Sequence, residues 1–241
     1  MAAVTLLSTK NLSKSFGGLQ AVKDVNFDLK EGDIHALIGP NGAGKTTFVS
    51  LLSGRLAASR GTITFQGADI TAIPAYQRVQ KGIAYTFQIT SIYPELTTLE
   101  NVMIAAQSSH QNDETGTTIE ARAMSSLQKV GIDTMAPEKA GEMAYGHQRL
   151  LEVAMGLALN PSLLILDEPT QGLSDDEIKS FCALIKEISQ SATVLLIEHN
   201  MSVVMELADK ITVLNFGELL AEGTPEEIRQ NNHVQSAYLG S

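Results

Sequence analysis

The sequence has little cysteine, no cluster of basic residues and no long apolar run. Cys182 is the only cysteine among 241 residues, which excludes an intrachain disulfide and is typical of a reducing compartment. Its neighbours in Phe181–Leu184 predict a buried helix face. The 17 lysines and arginines against 27 aspartates and glutamates give a formal net charge of −10, spread along the chain. This charge disfavours nucleic acid and other partners bound through many phosphates.

The apolar runs are all short. None approaches the roughly 18 residues that a membrane span requires. Met1–Lys10 has no basic start followed by a long apolar core, so we expect neither a signal peptide nor a membrane span. With 44% apolar and 18% charged residues, the composition predicts an ordinary globular protein, either one large domain or one domain with an attached lobe.

Short β-branched runs alternate with helical patterns, which predicts an α/β fold with a mostly parallel sheet covered on both faces. The expected strands of that sheet are Ile34–Ile38, Ile83–Phe87, Leu163–Leu166, Val194–Ile197 and Ile211–Leu214. Three other runs predict a small antiparallel β layer, namely Leu12–Phe16, Val22–Leu29 and Gly61–Phe65. From Thr97 to Val130 the pattern is helical, with a polar break at Asn112–Thr118. We therefore predict one domain, 1–241, in which 1–90 and 147–241 form the core and β layer and 91–146 an inserted helical lobe.

The strongest chemical motif lies between the expected strand Ile34–Ile38 and an expected helix, Thr47–Leu52. It reads Gly39, Pro40, Asn41, Gly42, Ala43, Gly44, Lys45, Thr46. The glycines let backbone N–H groups curl around phosphates, Lys45 can reach the β and γ oxygens, and the Thr46 hydroxyl suits Mg²⁺. A glycine-rich turn without a ligand is the alternative, and the flanking strand and helix disfavour it.

A pair of carboxylates, Asp167 and Glu168, follows the apolar run Leu163–Leu166. Parallel sheets bind ligands at the carboxyl ends of their strands, so both side chains are expected beside the phosphate-binding loop. In enzymes with such a loop, Asp167 would hold Mg²⁺, directly or through water, and Glu168 would polarise the attacking water. Two solvated acids at a strand end are the alternative.

Two further polar residues are expected at the same edge of the sheet. His199 follows the strand Val194–Ile197 and Glu198, within reach of a γ-phosphate, although a lone histidine is more often structural. Gln88 ends the strand Ile83–Phe87 and could offer its amide oxygen to Mg²⁺ or to the lytic water. The other histidines show no metal-ligand spacing.

A polar turn at Met143–Arg149 opens an apolar helix and contains Gly146. A glycine-bearing helix start offers backbone donors, which suggests a second anion site. Two anion sites for one nucleotide imply a partner chain.

With these motifs in order, the chain resembles the nucleotide-binding subunit of an ABC transporter over essentially its whole length. Several residues carry the resemblance. Met143, Ala144, Tyr145, Gly146 and His147 occupy the place of the family's Leu-Ser-Gly-Gly-Gln signature, while Gln88 matches the Q-loop, His199 the switch histidine and Gln171–Ser174 the D-loop. Phe16 falls where the family stacks an aromatic ring on adenine, although an aromatic residue that ends a strand is often a core residue.

The resemblance implies a P-loop NTPase (RecA-like) core with an antiparallel β subdomain and an inserted α-helical subdomain. It implies ATP hydrolysis with Mg²⁺ held by Thr46, Asp167 and Gln88. ATP would lie between the P-loop of one subunit, Gly39 to Thr47, and the signature residues 144–147 of a second, in a head-to-tail dimer that closes on ATP and opens after hydrolysis.

Within the family, the chain is most similar to the ATPases of branched-chain amino acid importers, for example in Phe16-Gly17-Gly18, Thr86-Phe87-Gln88 and the tail 237–240. The resemblance implies membrane permeases, a second identical or different ATPase subunit, an extracytoplasmic substrate-binding protein, and a peripheral place on the cytoplasmic face of the inner membrane. Residues 89–96, with Ile92 and Tyr93 expected to be exposed, are candidates for permease docking. Core packing of the lobe is the alternative explanation for those side chains.

Other functions within the family stay open. Related subunits that energise uptake of urea or short amides, or export of lipopolysaccharide, share much of this sequence. A soluble ABC ATPase acting on nucleic acid or ribosomes would carry a coiled-coil insertion, a duplicated cassette or a basic surface, none of which the sequence shows. A scaffold without hydrolysis would be expected to lose Glu168 or His199.

Two departures from the family pattern bear on function. Ala144 replaces the usual signature serine, which removes a hydroxyl that could cap the helix and donate to the γ-phosphate. We expect a weaker signature half-site, paired with a sister ATPase that carries an intact one. Ser174 replaces the usual D-loop aspartate, an ordinary change in this subgroup.

Overall fold

A computed structural model describes residues 4–86, 91–108 and 118–239. The strands are β1 (Thr5–Phe16), β2 (Leu19–Lys30), β3 (Ile34–Ile38), β4 (Arg60–Phe65), β5 (Ala68–Asp69), β6 (Ile83–Thr86), β7 (Leu163–Asp167), β8 (Thr193–Ile197), β9 (Lys210–Asn215) and β10 (Glu218–Gly223). The helices are α1 (Lys45–Leu52), α2 (Ala75–Gln80), α3 (Thr98–Gln107), α4 (Ile119–Lys129), α5 (Tyr145–Ala158), α6 (Asp175–Ile188), α7 (Met201–Leu207), α8 (Pro225–Gln230) and α9 (Asn232–Leu239). Short 3₁₀ turns lie at Asp133–Met135 and Ala140–Glu142.

The larger sheet has six strands in the order β10-β9-β3-β8-β7-β6. The pairs from β9 to β6 are parallel, and β10 runs antiparallel to β9. The residues of β3, β7 and β8 are all buried, as expected for parallel strands that are covered on both faces. Because β8 lies between β3 and β7, the carboxyl ends of these three strands are neighbours.

The second sheet is antiparallel, in the order β2-β1-β4-β5. Gly17, with φ of 56°, stands in the turn that joins β1 to β2. Register shifts between Thr9 and Leu12 and between Leu12 and Lys14 interrupt the β1–β2 pairing. These irregularities break the alternation of polar and apolar residues, which explains why the sequence predicts only the second half of β1, from Leu12.

Apolar side chains cover both faces of the larger sheet. On one face, Leu164, Leu166, Val194 and Leu196 pack with helices α3 to α6. On the other, Leu163, Ile165, Leu195 and Ile197 pack with α1 and the antiparallel sheet. This alternation along β7 and β8 follows from the two-residue period of a strand. Cys182 lies fully buried on α6, as predicted.

Several boundaries differ from the prediction. Helix α1 begins at Lys45 and not at Thr47, because Gly44 adopts φ of 99° and forms its N-cap. The expected strand Ile83–Phe87 is observed to Thr86, and Phe87 lies outside the described residues. Strand β10 was not predicted, since its sequence Glu-Leu-Leu-Ala-Glu-Gly is poor in the β-branched and aromatic residues that favour strands.

Candidate functional site

The carboxyl edge of the larger sheet gathers the residues selected from the sequence. The phosphate-binding loop follows β3, His199 follows β8, and Asp167 and Glu168 end β7, three strands that are adjacent in the sheet. Gln88 follows β6, at the edge of the same sheet, but it lies outside the described residues. The sheet therefore brings together the elements that the sequence predicts to surround the phosphates and the metal.

Two glycines of the loop stand where no side chain fits. A Cβ at Gly39 would lie 2.2 Å from the Leu214 carbonyl oxygen, and one at Gly44 would lie 2.5 Å from that of Ala21. Both contacts are with backbone, which cannot rotate away. The loop is thus packed tightly against β9 and β2, which sets its backbone N–H groups at the start of α1.

Lys45 is the first residue of α1 and is only 9% exposed. Its ammonium donates hydrogen bonds to the carbonyl oxygens of Gly39, at 2.6 Å, and Pro40, at 3.3 Å. Burial lowers the pKa of Lys45, and the carboxylates of Glu168 and Asp167 oppose that shift. The positive charge therefore lies inside the loop, facing the two acids.

Asp167 ends β7 and is 2% exposed. Its Oδ2 accepts a hydrogen bond from the Tyr85 hydroxyl at 2.6 Å, and the Arg55 guanidinium lies 5.0 Å from the centre of the Tyr85 ring. Burial raises the pKa of Asp167; the Tyr85 bond opposes this rise and the neighbouring Glu168 adds to it. Tyr85 is one of the contacts that the sequence analysis missed, because it depends on the β6–β7 pairing.

Glu168 and His199 lie together at the end of β7 and β8. His199 Nδ1 is 3.8 Å from Glu168 Oε1, and the histidine side chain is 57% exposed against 18% for the glutamate. Glu168 has φ of 48°, in the left-handed region that side chains rarely adopt, and its N–H donates to the Ile197 carbonyl oxygen at 2.9 Å. A carboxylate and an imidazole at this separation can share the positioning and deprotonation of a water molecule.

A buried carboxylate, Glu198, precedes His199 and was not selected from the sequence. Its Oε1 accepts hydrogen bonds from the Thr170 N–H, at 3.1 Å, and hydroxyl, at 2.5 Å. Its Oε2 accepts from the N–H groups of His199, at 3.1 Å, and Asn200, at 3.2 Å. The signal in the sequence that could have identified Glu198 is an acidic residue directly after the apolar run Val194–Ile197. We call this set of four hydrogen bonds the Glu198 clip.

The signature residues occupy the start of α5. Ala144 is the N-cap, and no side chain caps the helix. Ala144 and Tyr145 are exposed, and Gly146 and His147 are partly exposed. Gln148 bonds back to the carbonyl oxygens of Ala140 and Met143, which holds the preceding turn in place. The expected helix start is observed, with its first backbone N–H groups directed away from the rest of α5.

The D-loop packs on the signature within the same chain. A Cβ at Gly172 would lie 2.9 Å from the Tyr145 ring, and Gly172 has φ of 82°. A Cβ at Gly146 would lie 2.3 Å from Glu177 Oε1 on α6. Ser174 and Glu177 form a capping box at the start of α6. In this chain Ser174 therefore caps a helix, a function that serine performs as well as aspartate.

A buried ion pair lies in the middle of α5. Arg149 and Glu152, 3% and 6% exposed, are 2.9 Å apart, and Glu152 Oε1 also accepts a hydrogen bond from the Ser91 N–H at 2.7 Å. Burial raises the pKa of Glu152, and the hydrogen bonds from Ser91 and Arg149 oppose that shift. The ion pair links α5 to the first described residue after the Q-loop.

The remaining selected residues differ in their exposure. Phe16 ends β1 with 46% of its area exposed, and the Lys14 ammonium lies 5.1 Å from the centre of its ring. Tyr93 is 53% exposed, as expected. Ile92 is partly buried and packs against the core that includes α5, so the expectation of an exposed Ile92 was wrong. A β-branched side chain beside an apolar lobe is buried by it.

The donor set suits magnesium. Within the described ranges no group of three or more His, Cys, Asp and Glu side chains could hold a metal by itself. Mg²⁺ is usually bound through one or two carboxylates together with phosphate oxygens and water, and Asp167 with the Thr46 hydroxyl provides such oxygens. Because burial raises the pKa of Asp167, a neighbouring cation would favour its ionised form.

Fold and site together define a nucleotide-binding domain of the P-loop NTPase class. The ABC transporter family model matches residues 22–171, and the branched-chain amino acid ATP-binding cassette transporter model matches residues 218–241. No helix in the part of the chain that the structure describes is both long and apolar enough to cross a bilayer.

Curated relatives match over nearly the whole chain. The high-affinity branched-chain amino acid transport ATP-binding protein LivG of Salmonella typhimurium is 41% identical over 98% of each chain. The lipopolysaccharide export ATP-binding protein LptB of Escherichia coli is 32% identical over 97% of each. A solved ABC transporter cassette in its ADP conformation is 30% identical, with a TM-score of 0.89 over 99% of this chain and 100% of that one.

The chain belongs to the ATP-binding, ATP-hydrolysing subunits of ABC transporters. The predicted fold class and the resemblance to the branched-chain amino acid subgroup are both confirmed.

Proposed function

We propose that this ABC ATPase energises the import of branched-chain amino acids or related small polar solutes. Two similarities support this cargo over lipopolysaccharide: the higher identity to LivG than to LptB, and the match of residues 218–241 to the branched-chain amino acid model. The formal charge of −10 disfavours the alternative of a soluble ABC ATPase on nucleic acid or ribosomes.

The observation that carries the catalytic proposal is the 3.8 Å separation of His199 and Glu168 at the strand end beside the phosphate-binding loop. Glu168 polarises the attacking water, and His199 contacts the γ-phosphate and helps to position that water. Gln88 is the third proposed catalytic residue and also a metal ligand, and its position lies outside the described residues. Catalysis of this kind rests on positioning and electrostatic stabilisation.

The P-loop binds the nucleotide phosphates. Residues Gly39 to Thr47 supply backbone N–H groups and the Lys45 ammonium, and Phe16 stacks on the adenine. Thr46, Asp167 and Gln88 would hold Mg²⁺, which would offset the negative charge of the phosphates. Tyr85 donates to one Asp167 oxygen and so orients that carboxylate.

The second anion site lies on α5. Ala144, Tyr145, Gly146 and His147 of one subunit face the ATP of another, in a head-to-tail pair that is homo- or heterodimeric. The uncapped helix start supports this role, because free N–H groups and the positive end of the helix dipole favour phosphate. Residues 91–146 form the helical subdomain, which ends at the signature.

A permease is the proposed membrane partner. The ATPase lies at the cytoplasmic face of the inner membrane as a peripheral subunit, and an extracytoplasmic substrate-binding protein delivers the solute. The exposed Tyr93 ring, close to the Q-loop in sequence, is the proposed docking residue.

Replacing Glu168 by Gln tests both parts of the proposal. The purified variant should bind ATP with unchanged affinity but lose about 10²- to 10⁴-fold in turnover, because the amide cannot accept the proton of the attacking water. In a strain that lacks the gene, the wild-type chain should restore uptake of labelled leucine, and the variant should not. Glu187→Gln, an exposed change on α6, is the matched control.

Wild-type turnover in Glu168→Gln would contradict the catalytic assignment. Undiminished leucine uptake in the deletion strain would contradict the cargo. Loss of lipopolysaccharide export in that strain would support the alternative.

A further inference from the structure

We propose that Glu198 is a positioning residue for ATP hydrolysis, holding the switch histidine His199 against Glu168 through the Glu198 clip; this inference rests on the proposed catalytic roles of those two residues. Glu198 does not reach substrate in this role. It acts by setting the backbone on which both catalytic side chains stand.

Glu198 is 0% exposed, and all four hydrogen bonds of the clip go to two short segments. One segment holds Thr170, two residues after Glu168. The other holds His199 and Asn200. One buried carboxylate thus joins the segment that follows β7 to the segment that follows β8, at the point where the two catalytic candidates meet.

The two segments are also joined at Glu168 itself. The Glu168 N–H donates to the Ile197 carbonyl oxygen at 2.9 Å, so Ile197 and Glu198 hold the 168–170 segment at two neighbouring points. Glu168 needs such support because its backbone has φ of 48°. Residues in the left-handed region are strained and persist where the surrounding contacts enforce that conformation.

The position of the His199 ring depends on the clip, because the clip holds the backbone that carries it. The ring is 57% exposed, so packing restricts it weakly, and its place is determined by the backbone at Glu198 to Asn200. A shift of about 1 Å in a catalytic group can reduce turnover by about 10²-fold.

The chemistry of the clip requires a carboxylate. Both oxygens accept, and each receives two donors. Glutamine has nearly the same shape but carries one acceptor oxygen and one NH₂ group. That NH₂ group would face either the Thr170 donors or the His199 and Asn200 N–H groups, which then lose their acceptor. A buried donor left without a partner destabilises the local arrangement.

Steady-state ATPase assays on the full chain test the proposal, with circular dichroism to show that each variant is folded at the assay temperature. In Glu198→Gln we expect kcat to fall about 10- to 100-fold while the KM for ATP stays within about twofold, because the phosphate-binding loop is untouched. Thr170→Val, which removes only the hydroxyl, should give a smaller fall, and Thr170→Ser should restore nearly full turnover.

The combined Glu198→Gln and Thr170→Val variant should be no slower than Glu198→Gln alone, because both changes break the same contact. Glu222→Gln is the matched control. Glu222 also accepts a threonine hydroxyl, that of Thr212 at 3.0 Å, on β9 and β10 away from the catalytic residues. Its turnover should equal that of the wild type.

Full turnover in folded Glu198→Gln would overturn the proposal, as would an equal fall in Glu222→Gln or a raised KM with unchanged kcat. If Glu198→Gln does not fold, turnover in Thr170→Val equal to that in Thr170→Ser overturns it. Glu168→Gln, assayed in parallel, distinguishes failure of this proposal from failure of the proposed function. If Glu168→Gln turns over ATP as fast as the wild type, the catalytic role of Glu168 itself is contradicted.

Discussion

Helices α5 and α6 begin beside each other and differ at their first turn. Helix α6 starts with a complete capping box, in which Ser174 and Glu177 satisfy each other's backbone N–H groups. Helix α5 starts at Ala144 and has no side-chain cap. Glu177 Oε1 nevertheless lies close to Gly146, so a carboxylate stands near both helix starts.

The same contrast extends along the chain. Helices α3 and α8 have capping boxes, at Thr97 and Thr224, and α4 and α7 have single caps, at Thr118 and Asn200. Helix α1, at the phosphate-binding loop, has none. The short α2 is also uncapped, since it follows Pro74. The two helices that begin at the proposed ATP contacts thus lack a side-chain cap, which would leave N–H donors of the first turn available for phosphate, whereas most of the other helices have one.

The largest expected effect is a loss of ATP affinity on adding a side chain at Gly44, the N-cap of α1. Gly44→Ala would place a methyl group 2.5 Å from the Ala21 carbonyl oxygen at φ of 99°. The backbone must move, and if the displaced loop regains its phosphate-binding geometry only by taking up a strain of about 1 to 3 kcal/mol, ATP affinity should fall about 5- to 150-fold. Isothermal titration with ATP measures the loss.

Gly32→Ala is the matched control. Gly32 also has a left-handed φ, of 84°, but its added methyl group would meet nothing within 4 Å. It should destabilise the fold by about 1 kcal/mol and leave ATP affinity unchanged. Equal ATP affinity in Gly44→Ala and the wild type would show that the loop tolerates the shift.

A smaller effect tests a titratable side chain buried inside the sheet. His35 is fully buried, its Nε2 pairs with the Thr212 hydroxyl at 2.8 Å, and burial lowers its pKa to about 3, with a further contribution from Lys210. The unfolded chain binds a proton near pH 6.5, so the stabilisation present above that pH is lost as pH falls towards 3. The expected slope is about 1.4 kcal/mol per pH unit.

Urea unfolding of His35→Leu between pH 6 and 4 should therefore show a flatter decline than the wild type. His233→Leu, an exposed change on α9, should follow the wild-type slope. Parallel declines in all three proteins would mean that other groups, such as the carboxylates, carry the whole pH dependence.

The smallest effects are expected from removing the hydroxyl at one helix N-cap and adding a hydroxyl at another. Thr224→Ala removes a cap from α8 and should lower the free energy of unfolding by about 1 kcal/mol without changing ATP turnover. Ala144→Ser adds a hydroxyl that can donate to the γ-phosphate and should raise turnover a few-fold, because an additional stabilisation of the transition state by about 0.5 to 1 kcal/mol has that size. Urea unfolding measures the stability of Thr224→Ala, and ATPase assays in the assembled transporter measure the turnover of both variants.

No gain from Ala144→Ser, in a complex where that half-site is known to turn over, would contradict the idea of a weak signature. It would also remove the reason to expect a different sister ATPase.

The strands and the catalytic candidates could be predicted because their signals are local. The β-branched run before Gly39 and the four apolar residues before Asp167 mark buried parallel strands, and any parallel sheet carries their carboxyl ends to one edge. The contacts between strands could not be predicted in this way. Tyr85 reaches Asp167, and Glu198 reaches Thr170, only because β7 lies between β6 and β8, an order that no short segment encodes.

The hydrogen bond between Glu152 and Ser91 has a mechanical consequence. Glu152 stands seven residues after Tyr145, so it lies about 10 Å from the helix start at 1.5 Å per residue. If α5 pivots as a rigid rod at Glu152, a tilt of about 5° displaces its first turn by about 1 Å. The hydrogen bond from the Ser91 N–H to Glu152 then marks the pivot, and the part of α5 that moves ends at the signature residues.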